Sequence, residues 1–305
     1  MKKHFSIFAC LFMVLSSFLV SCDDSNNVPD AYDPIICKIT VIRDGDADGT
    51  VSITNYNGTS ANVLIGNQIE VVAAPAEGSA FIGWYMGNSN TPVSTEKRFV
   101  FTASENTTLI ARIAPIEAID LGLSVKWATC NVGANIPWEY GVYYAWGERE
   151  KKSYYHWSTY KWCKGSYDSL TKYCISSTNC ATGKWDDKTV LDPEDDVAHV
   201  KWGGNWRMPT EAEQVELRKN CTWTWTTQNG VNGYEVTGPN GNSIFLPAAG
   251  YRDRTEAYDR GNNGYYWSSS LNYNGSACCL YFDSGEHGRG SYSSYYGLSV
   301  RPVSE

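Results

Sequence analysis

From Ile36 to Ala111 the chain alternates apolar and polar residues in short runs: Ile39 and Val41, Val51 and Ile53, Ile69 and Val71, Phe99 and Phe101, Leu109 and Ala111. A period of two places one set of side chains on one face, so each run reads as a half-buried β-strand. Turn residues separate the runs at short intervals, and the whole predicts a small all-β, sandwich-like domain over residues 36–114. Within it, Asp44-Gly45-Asp46-Ala47-Asp48-Gly49 fits the first half of a calcium loop. The twelfth loop position is Asn55 rather than a carboxylate, and both flanks read as strands. A hairpin turn is the expectation there.

The strings Gly66-Asn67-Gln68-Ile69-Glu70-Val71, Ala73-Ala74-Pro75-Ala76-Glu77-Gly78, Phe81-Ile82-Gly83-Trp84 and Phe101 to Leu109 follow one another in a fixed order. In that order they resemble the divergent internalin-type B-repeat family, over roughly Cys37 to Ile113. The resemblance implies a β-grasp-like or small sandwich spacer on a bacterial surface, without activity.

Ala114-Pro115-Ile116-Glu117-Ala118 is the candidate linker to a second domain, residues 115–305. Eleven of the twelve Trp lie beyond it. Ile119 to Ala134 predicts an opening strand pair, and residues 149–200 are a long polar and aromatic excursion of the kind that is functional or locally structured. Thr210-Glu211-Ala212-Glu213 is a capping box, which predicts a helix from Thr210 to Asn220. Five motifs stand in order: Asp120-Leu121-Gly122-Leu123, Gly204-Asn205-Trp206-Arg207-Met208-Pro209-Thr210-Glu211, Leu246-Pro247-Ala248-Ala249-Gly250-Tyr251-Arg252, Tyr266-Trp267-Ser268-Ser269-Ser270 and Ser299-Val300-Arg301-Pro302-Val303. Together they resemble the Fibrobacter succinogenes major paralogous domain family, itself similar to formylglycine-generating-enzyme-like domains. What the resemblance implies is an α+β, C-type-lectin-like fold whose final strands present the ligand face. Trp206, Trp267 and Arg301 are then scaffold.

Between the last two motifs the text is almost all Tyr, Ser, Gly, Asn, Asp, His, Arg and Cys. Tyr supplies contact area at low entropy cost and small polar residues adapt, as in antibody loops. The candidate ligand contacts are Asn272, Tyr273, Asn274, Tyr281, Asp283, His287, Arg289, Tyr292, Tyr295 and Tyr296. From Ser268 to Val300 there is no Lys, Gln, Trp or Met, and Glu286 is the one Glu. That is the imprint expected of a diversity-generating retroelement acting on Asn codons; an ordinary Ser/Tyr-rich loop gives the same composition. Cys278-Cys279 then read as small surface residues, one or both reactive.

No His pair has metal-helix spacing, no nucleophile elbow occurs and no glycine-rich phosphate loop follows a strand. The expectation is a binding protein, not an enzyme, with no catalytic residue, metal or cofactor. Glycan or protein is the expected class of surface ligand, with aromatic stacking as the means. The competing readings are an oxidase of the formylglycine-generating type, using Cys278 and Cys279 with copper, and a structural adhesin or pilus-like subunit.

The N-terminus supplies the address. Lys2-Lys3 and the apolar run Phe5 to Val20 form a secretory signal, residues 1–21. Leu19-Val20-Ser21-Cys22 resembles a bacterial lipobox, which implies that Cys22 becomes a lipidated, palmitate-bearing N-terminus. Two or three acyl chains anchor stably where one does not. Asp23-Asp24 resembles the acidic signal of outer-surface lipoproteins, so the expected location is the outer membrane, lipid-anchored and facing the exterior. Residues 22–35 are the tether. Removing residues 1–21 deletes two lysines and no acid, which takes the formal charge from −8 to −10; nucleic acid is not a partner for such a chain. Of ten cysteines, eight remain after Cys10 and Cys22, in a compartment that permits disulfides. Cys163 with Cys174 and Cys130 with Cys221 are the candidate pairs.

Overall fold

The structure, a computed structural model, describes residues 34–305. The signal segment 1–21, the lipidation residue Cys22 and the tether as far as residue 33 lie outside the described residues.

Seven strands make the N-terminal part: β1 (Ile36–Asp44), β2 (Gly49–Ile53), β3 (Ser60–Leu64), β4 (Gln68–Pro75), β5 (Ser79–Met86), β6 (Arg98–Thr102) and β7 (Thr107–Pro115). They form two sheets, ordered β3-β1-β7-β5 and β2-β4-β6. Alternation turns Ile39, Val41, Ile53, Ile69, Val71, Leu109 and Ile113 inward, where they join Phe81 and Trp84 in one apolar core. Each large aliphatic side chain so buried contributes about 1.5–3 kcal/mol. No helix lies within residues 36–115, so of the two expected forms the sandwich is the one realised. The stretch Asp44 to Gly49 joins strands of different sheets, which makes it an intersheet turn rather than a hairpin. Its Asp48 pairs with Arg43 at 3.4 Å.

β1 and β7 pair in parallel, from Ile39 opposite Thr107 to Asp44 opposite Arg112. A parallel pairing of the first and last strands puts the chain's arrival at Ile36 and its departure at Pro115 at opposite ends of the sandwich. At about 3.3 Å per residue, the nine residues of β1 span about 30 Å.

The expected linker is part of the packed structure. β7 runs through Pro115, and Ile116 is buried, with its N–H donated to the Gly78 carbonyl at 2.9 Å. Ile116 clusters with Ala80, Ala128, Cys130 and Ala134 against Trp202 and Trp206. Asn135 ties the two parts, donating to the Ser79 carbonyl at 2.7 Å and accepting from the Phe81 N–H at 3.0 Å. Lys97 and Glu139 form an ion pair at 2.5 Å across the same junction. An apolar Ile at the centre of the segment, rather than Gly or Ser, is why it packs instead of swinging.

The C-terminal region adds β8 (Ala118–Ile119), β9 (Lys126–Ala128), α1 (Val197–Trp202), α2 (Glu211–Asn220), β10 (Thr222–Gln228), β11 (Val231–Thr237), β12 (Ser243–Pro247), β13 (Tyr251–Asp253), β14 (Glu256–Tyr258), β15 (Gly264–Tyr273), β16 (Ser276–Phe282), β17 (His287–Ser293) and β18 (Val303–Ser304). Its sheets are β8-β9-β18, β10-β11-β12, β13-β14 and β15-β16-β17. The chain is therefore mostly β, and the balance expected of an α+β domain is shifted toward strands. The excursion over residues 149–195 carries four isolated 3-10 turns and no α-helix. A Cys174–Cys180 disulfide closes part of this excursion. It replaces the expected Cys163–Cys174 pair, and Cys130 and Cys221 are likewise unbridged.

α2 begins as its sequence dictates: the Thr210 hydroxyl accepts from the Glu213 N–H at 3.3 Å, and Glu213 accepts from the Thr210 N–H at 2.7 Å. Arg207 grips the same carboxylate at 2.7 and 2.9 Å. The ends of the region meet where Val303 pairs with Trp127. Beside that junction the fully buried Arg301 has no carboxylate partner among the described residues. It donates to Asn131 Oδ1 at 2.8 Å, to the Ala128 and Thr129 carbonyls at 2.9 Å each, and to the Phe245 carbonyl at 3.0 Å. Among the described residues no helix is long and apolar enough to cross a membrane.

Candidate functional site: an aromatic face on the last sheet

The register of β15, β16 and β17 sorts their side chains onto two faces. Tyr265, Tyr281 and Gly288 share one rung, and Trp267, Cys279 and Gly290 share the next on the same face, followed by Ala277 with Tyr292. On the opposite face lie Tyr266, Leu280 and Arg289, then Phe282 with His287, and Cys278 with Ser291.

The first face is aromatic. Tyr265 packs against Tyr281 at 5.3 Å between ring centroids, against Tyr292 at 5.3 Å and against Tyr251 at 5.1 Å. Tyr251 extends the array to Tyr258 at 5.4 Å and to Tyr296 at 5.7 Å. Tyr296 meets Tyr295 at 4.4 Å, and Tyr295 meets Trp157 at 5.0 Å. Most of these rings are half-buried, with Tyr265 as floor and Tyr258 exposed. The face is open beside Tyr281 at Gly288, where a Cβ would have no neighbour within 4 Å. Edge-to-face, tilted and stacked contacts alternate along the array and hold the rings against one another.

Two carboxylates rim the array. Tyr265 donates its hydroxyl to Asp259 at 3.0 Å, Tyr281 donates to Asp283 at 2.9 Å, and the Asn263 amide reaches both phenol oxygens at 3.3 Å. Hydrogen bonds from the Gly285 N–H, the Tyr281 hydroxyl and the Glu286 N–H hold the Asp283 carboxyl below its ordinary range. Burial and the neighbouring Asp283 push the Tyr281 phenol up to about 12. At neutral pH the face thus offers neutral phenols, ring surfaces and acceptor oxygens. These suit a ligand with apolar ring faces and hydroxyl or N–H donors.

The ten residues singled out from the sequence divide. Tyr281, Asp283, Tyr292, Tyr295 and Tyr296 come together on the aromatic face. Asn272, His287 and Arg289 lie on the other side, against α2 and β10. There Arg289 pairs with Glu211 and donates to Asn272 at 2.6 Å, while the Asn272 amide donates to Ser291 at 2.8 Å. His287 stacks on Trp223 at 4.5 Å. Asn274 is buried, its carbonyl accepting from the Ile175 N–H at 2.7 Å and its amide donating to Ser176 at 2.8 Å, which ties the β15–β16 hairpin to the disulfide loop. Tyr273, at the hairpin tip, is 53% exposed.

Cys278 and Cys279 are core residues rather than surface ones, both buried within the central strand β16. As neighbours on a strand they point to opposite faces, Cys278 toward Glu211 and Arg289, and Cys279 toward the face of Gly290 and Trp267. Burial, reinforced by Glu211, pushes the Cys278 thiol up to about 11, and burial raises Cys279 as well. Neither is a thiolate at neutral pH, and the two form no pair. No cluster of three or more His, Cys, Asp or Glu among the described residues is placed to hold a metal.

Sequence reasoning missed Tyr251, Tyr258, Tyr265, Asn263, Asp259 and Trp157. Tyr265 was within reach, since it stands two residues before Trp267 on one strand and so shares its face. The others come to the array from the β13–β14 hairpin, the turn after it and the 3-10 turn at Trp157, and nothing in their spacing announces it.

Comparison with known proteins divides the chain in the same way. Residues 39–117 match the divergent InlB B-repeat domain, and this segment is such a domain. Residues 205–303, which contain α2 and all of β15–β17, match a domain of unknown function, DUF8237. Neither the curated proteins nor the solved structures give a match to the chain.

Proposed function

We propose that the chain is a cell-surface lipoprotein, held in the outer membrane by lipid on Cys22, whose B-repeat sandwich carries a recognition domain outward. The domain binds a surface glycan or protein through the aromatic face. The observation that carries this reading is the continuous array from Tyr258 through Tyr265 and Tyr281 to Tyr295 and Trp157, rimmed by Asp259 and Asp283. Carboxylates beside aromatic rings hold hydroxyl groups while the rings take the apolar face of the same ligand. The C-type-lectin-like assignment belongs to this proposal, supported by the five ordered motifs. So does diversification by a retroelement, which the burial of Ser276 to Leu280 confines to the exposed and half-buried positions around them.

The test is a glycan and protein array probed with the soluble fragment from Ser25. A variant with Tyr281, Tyr292, Tyr295 and Tyr296 changed to Ser is expected to lose at least about 100-fold in affinity for any ligand found, in line with the weight that aromatic anchors carry in interfaces. Arg289→Ala, on the opposite face, is expected to bind as the parent does. Equal binding by the tyrosine variant overturns the site.

A further inference from the structure

The end of the sandwich where the chain arrives presents an apolar tip. Ile36 and Leu64 are cross-strand partners on β1 and β3, and Ile65 follows directly in the turn to β4. Their exposures are 57%, 45% and 42%. The Ile65–Asn67 turn is fixed rather than loose: the Gly66 N–H is donated to the Ala103 carbonyl at 2.8 Å, and the Ala103 N–H to the Asn67 carbonyl at 2.9 Å. Of residues 36–38, 62–68 and 102–107, which make up this end, only Lys38 and Glu105 are charged, with opposite signs. What sets this end apart is that three exposed aliphatic side chains adjoin one another with no net charge around them, a candidate interaction surface.

We propose that this tip rests in the headgroup and acyl boundary of the membrane that carries the protein. Two observations select a lipid surface as the occupant. The parallel β1–β7 pairing places the tip at the end opposite the one from which the recognition domain departs. The proposed anchor, Cys22, precedes Ile36 by fourteen residues, whose full reach is about 50 Å, so the tip touches the bilayer well within the tether's length. Aliphatic side chains without charge insert at that boundary independently of lipid charge, which suits a chain with an excess of acids. Contact there would give the sandwich a defined stance, with β1 upright and the aromatic face held away from the surface. The inference rests on the lipid-anchor reading of Cys22.

The experiment reconstitutes the mature lipoprotein into phosphatidylcholine vesicles containing a phosphatidylcholine with a diazirine in its acyl chain. After irradiation, cross-linked peptides are mapped by mass spectrometry. The expected result is lipid adducts on the peptides bearing Ile36 and Leu64-Ile65, with the acyl mass on Cys22 as internal control. A variant with Leu64→Asp and Ile65→Asp is expected to lose at least about 10-fold of the tip adducts, with an unchanged circular dichroism spectrum. Acyl mass on Cys22 without tip adducts overturns the tip and leaves the anchor standing. Absence of acyl mass on Cys22 overturns the anchor and the tip proposal with it. Protection of the tip by a second copy, seen as a dimer of the variant's parent in sedimentation, also overturns it.

Discussion

The sandwich and the C-terminal region pair their backbones by different means. In the sandwich the ladders of two sheets pair the strands, and the core between them is mainly Ile, Val, Leu and Ala. In the C-terminal region long connections separate the sheets, and side chains from elsewhere also take up backbone carbonyls. Trp267 donates its indole N–H to the Tyr144 carbonyl at 2.9 Å, Trp146 to the Ser268 carbonyl at 2.8 Å, and Tyr155 its hydroxyl to the Tyr143 carbonyl at 2.6 Å. Arg301 takes three carbonyls at once. Buried backbone groups must be paired, and large side chains that carry donors help to pair them here. The difference teaches what Trp146, Trp162 and Trp267 do there: each combines apolar bulk with one N–H donated to a carbonyl, whereas the indole N–H groups of Trp127 and Trp202 are buried without a partner.

Substitutions that remove a donor while keeping bulk break this contrast most directly. Arg301→Met is expected to have the largest effect. An unpaired buried acceptor costs about 1–3 kcal/mol, and four acceptors are orphaned together, so a loss above about 3 kcal/mol is expected in urea titration followed by tryptophan fluorescence. A loss under about 1 kcal/mol would show that water replaces the guanidinium and that the carbonyl cage is dispensable. Trp267→Phe loses the bond to the Tyr144 carbonyl, which keeps the one from the Leu298 N–H, and leaves a cavity where part of the indole stood, with an expected destabilisation of about 1–3 kcal/mol. In the sandwich, Ile39→Val removes one methylene and no donor, for which about 0.5–1.5 kcal/mol is expected. If Ile39→Val proves costlier than Trp267→Phe, the two regions do not differ as described.

A smaller effect concerns acid. Burial, and after it the charge of Arg218, lowers the His287 pKa below its ordinary value. The folded state therefore refuses a proton that the unfolded chain accepts near about pH 6.5. Stability rises with pH wherever the unfolded state binds more protons, so this group erodes stability as pH falls through about 6.5. The erosion stops growing once pH passes below the lowered native value. His287→Phe keeps the stack on Trp223 and is expected to show a shallower fall in Tm between about pH 7 and pH 5. An identical slope would assign the acid sensitivity to other groups.

What could be read from the sequence followed the same divide. Ile39, Val41, Ile69 and Val71 announce their strands because a two-sheet core needs a strict period of two, and Thr210 with Glu213 announces α2 because a cap is a local exchange between residues three apart. Ser276, Ala277, Cys278 and Cys279 hid their burial. Small polar residues look like surface, yet here Ser268 Oγ bonds the Cys278 carbonyl at 2.9 Å and Ser276 Oγ the Tyr292 carbonyl at 3.0 Å. Such residues fit a strand covered on both faces once their hydroxyls find backbone partners. The tyrosines of β16 and β17 were legible as contacts from composition, but the sorting of Tyr281 and Tyr292 from His287 and Arg289 needed the register.

The parallel pairing of β1 with β7 also sets how the molecule answers a pull. A force applied between the chain before Ile36 and the C-terminal region loads the sandwich at the start of β1 and the end of β7. Those points lie at opposite ends of adjacent, hydrogen-bonded strands, so the force runs along the ladder and stretches its bonds together instead of unzipping them in turn. For tension applied between its two ends, the sandwich is thereby a clamp loaded in shear.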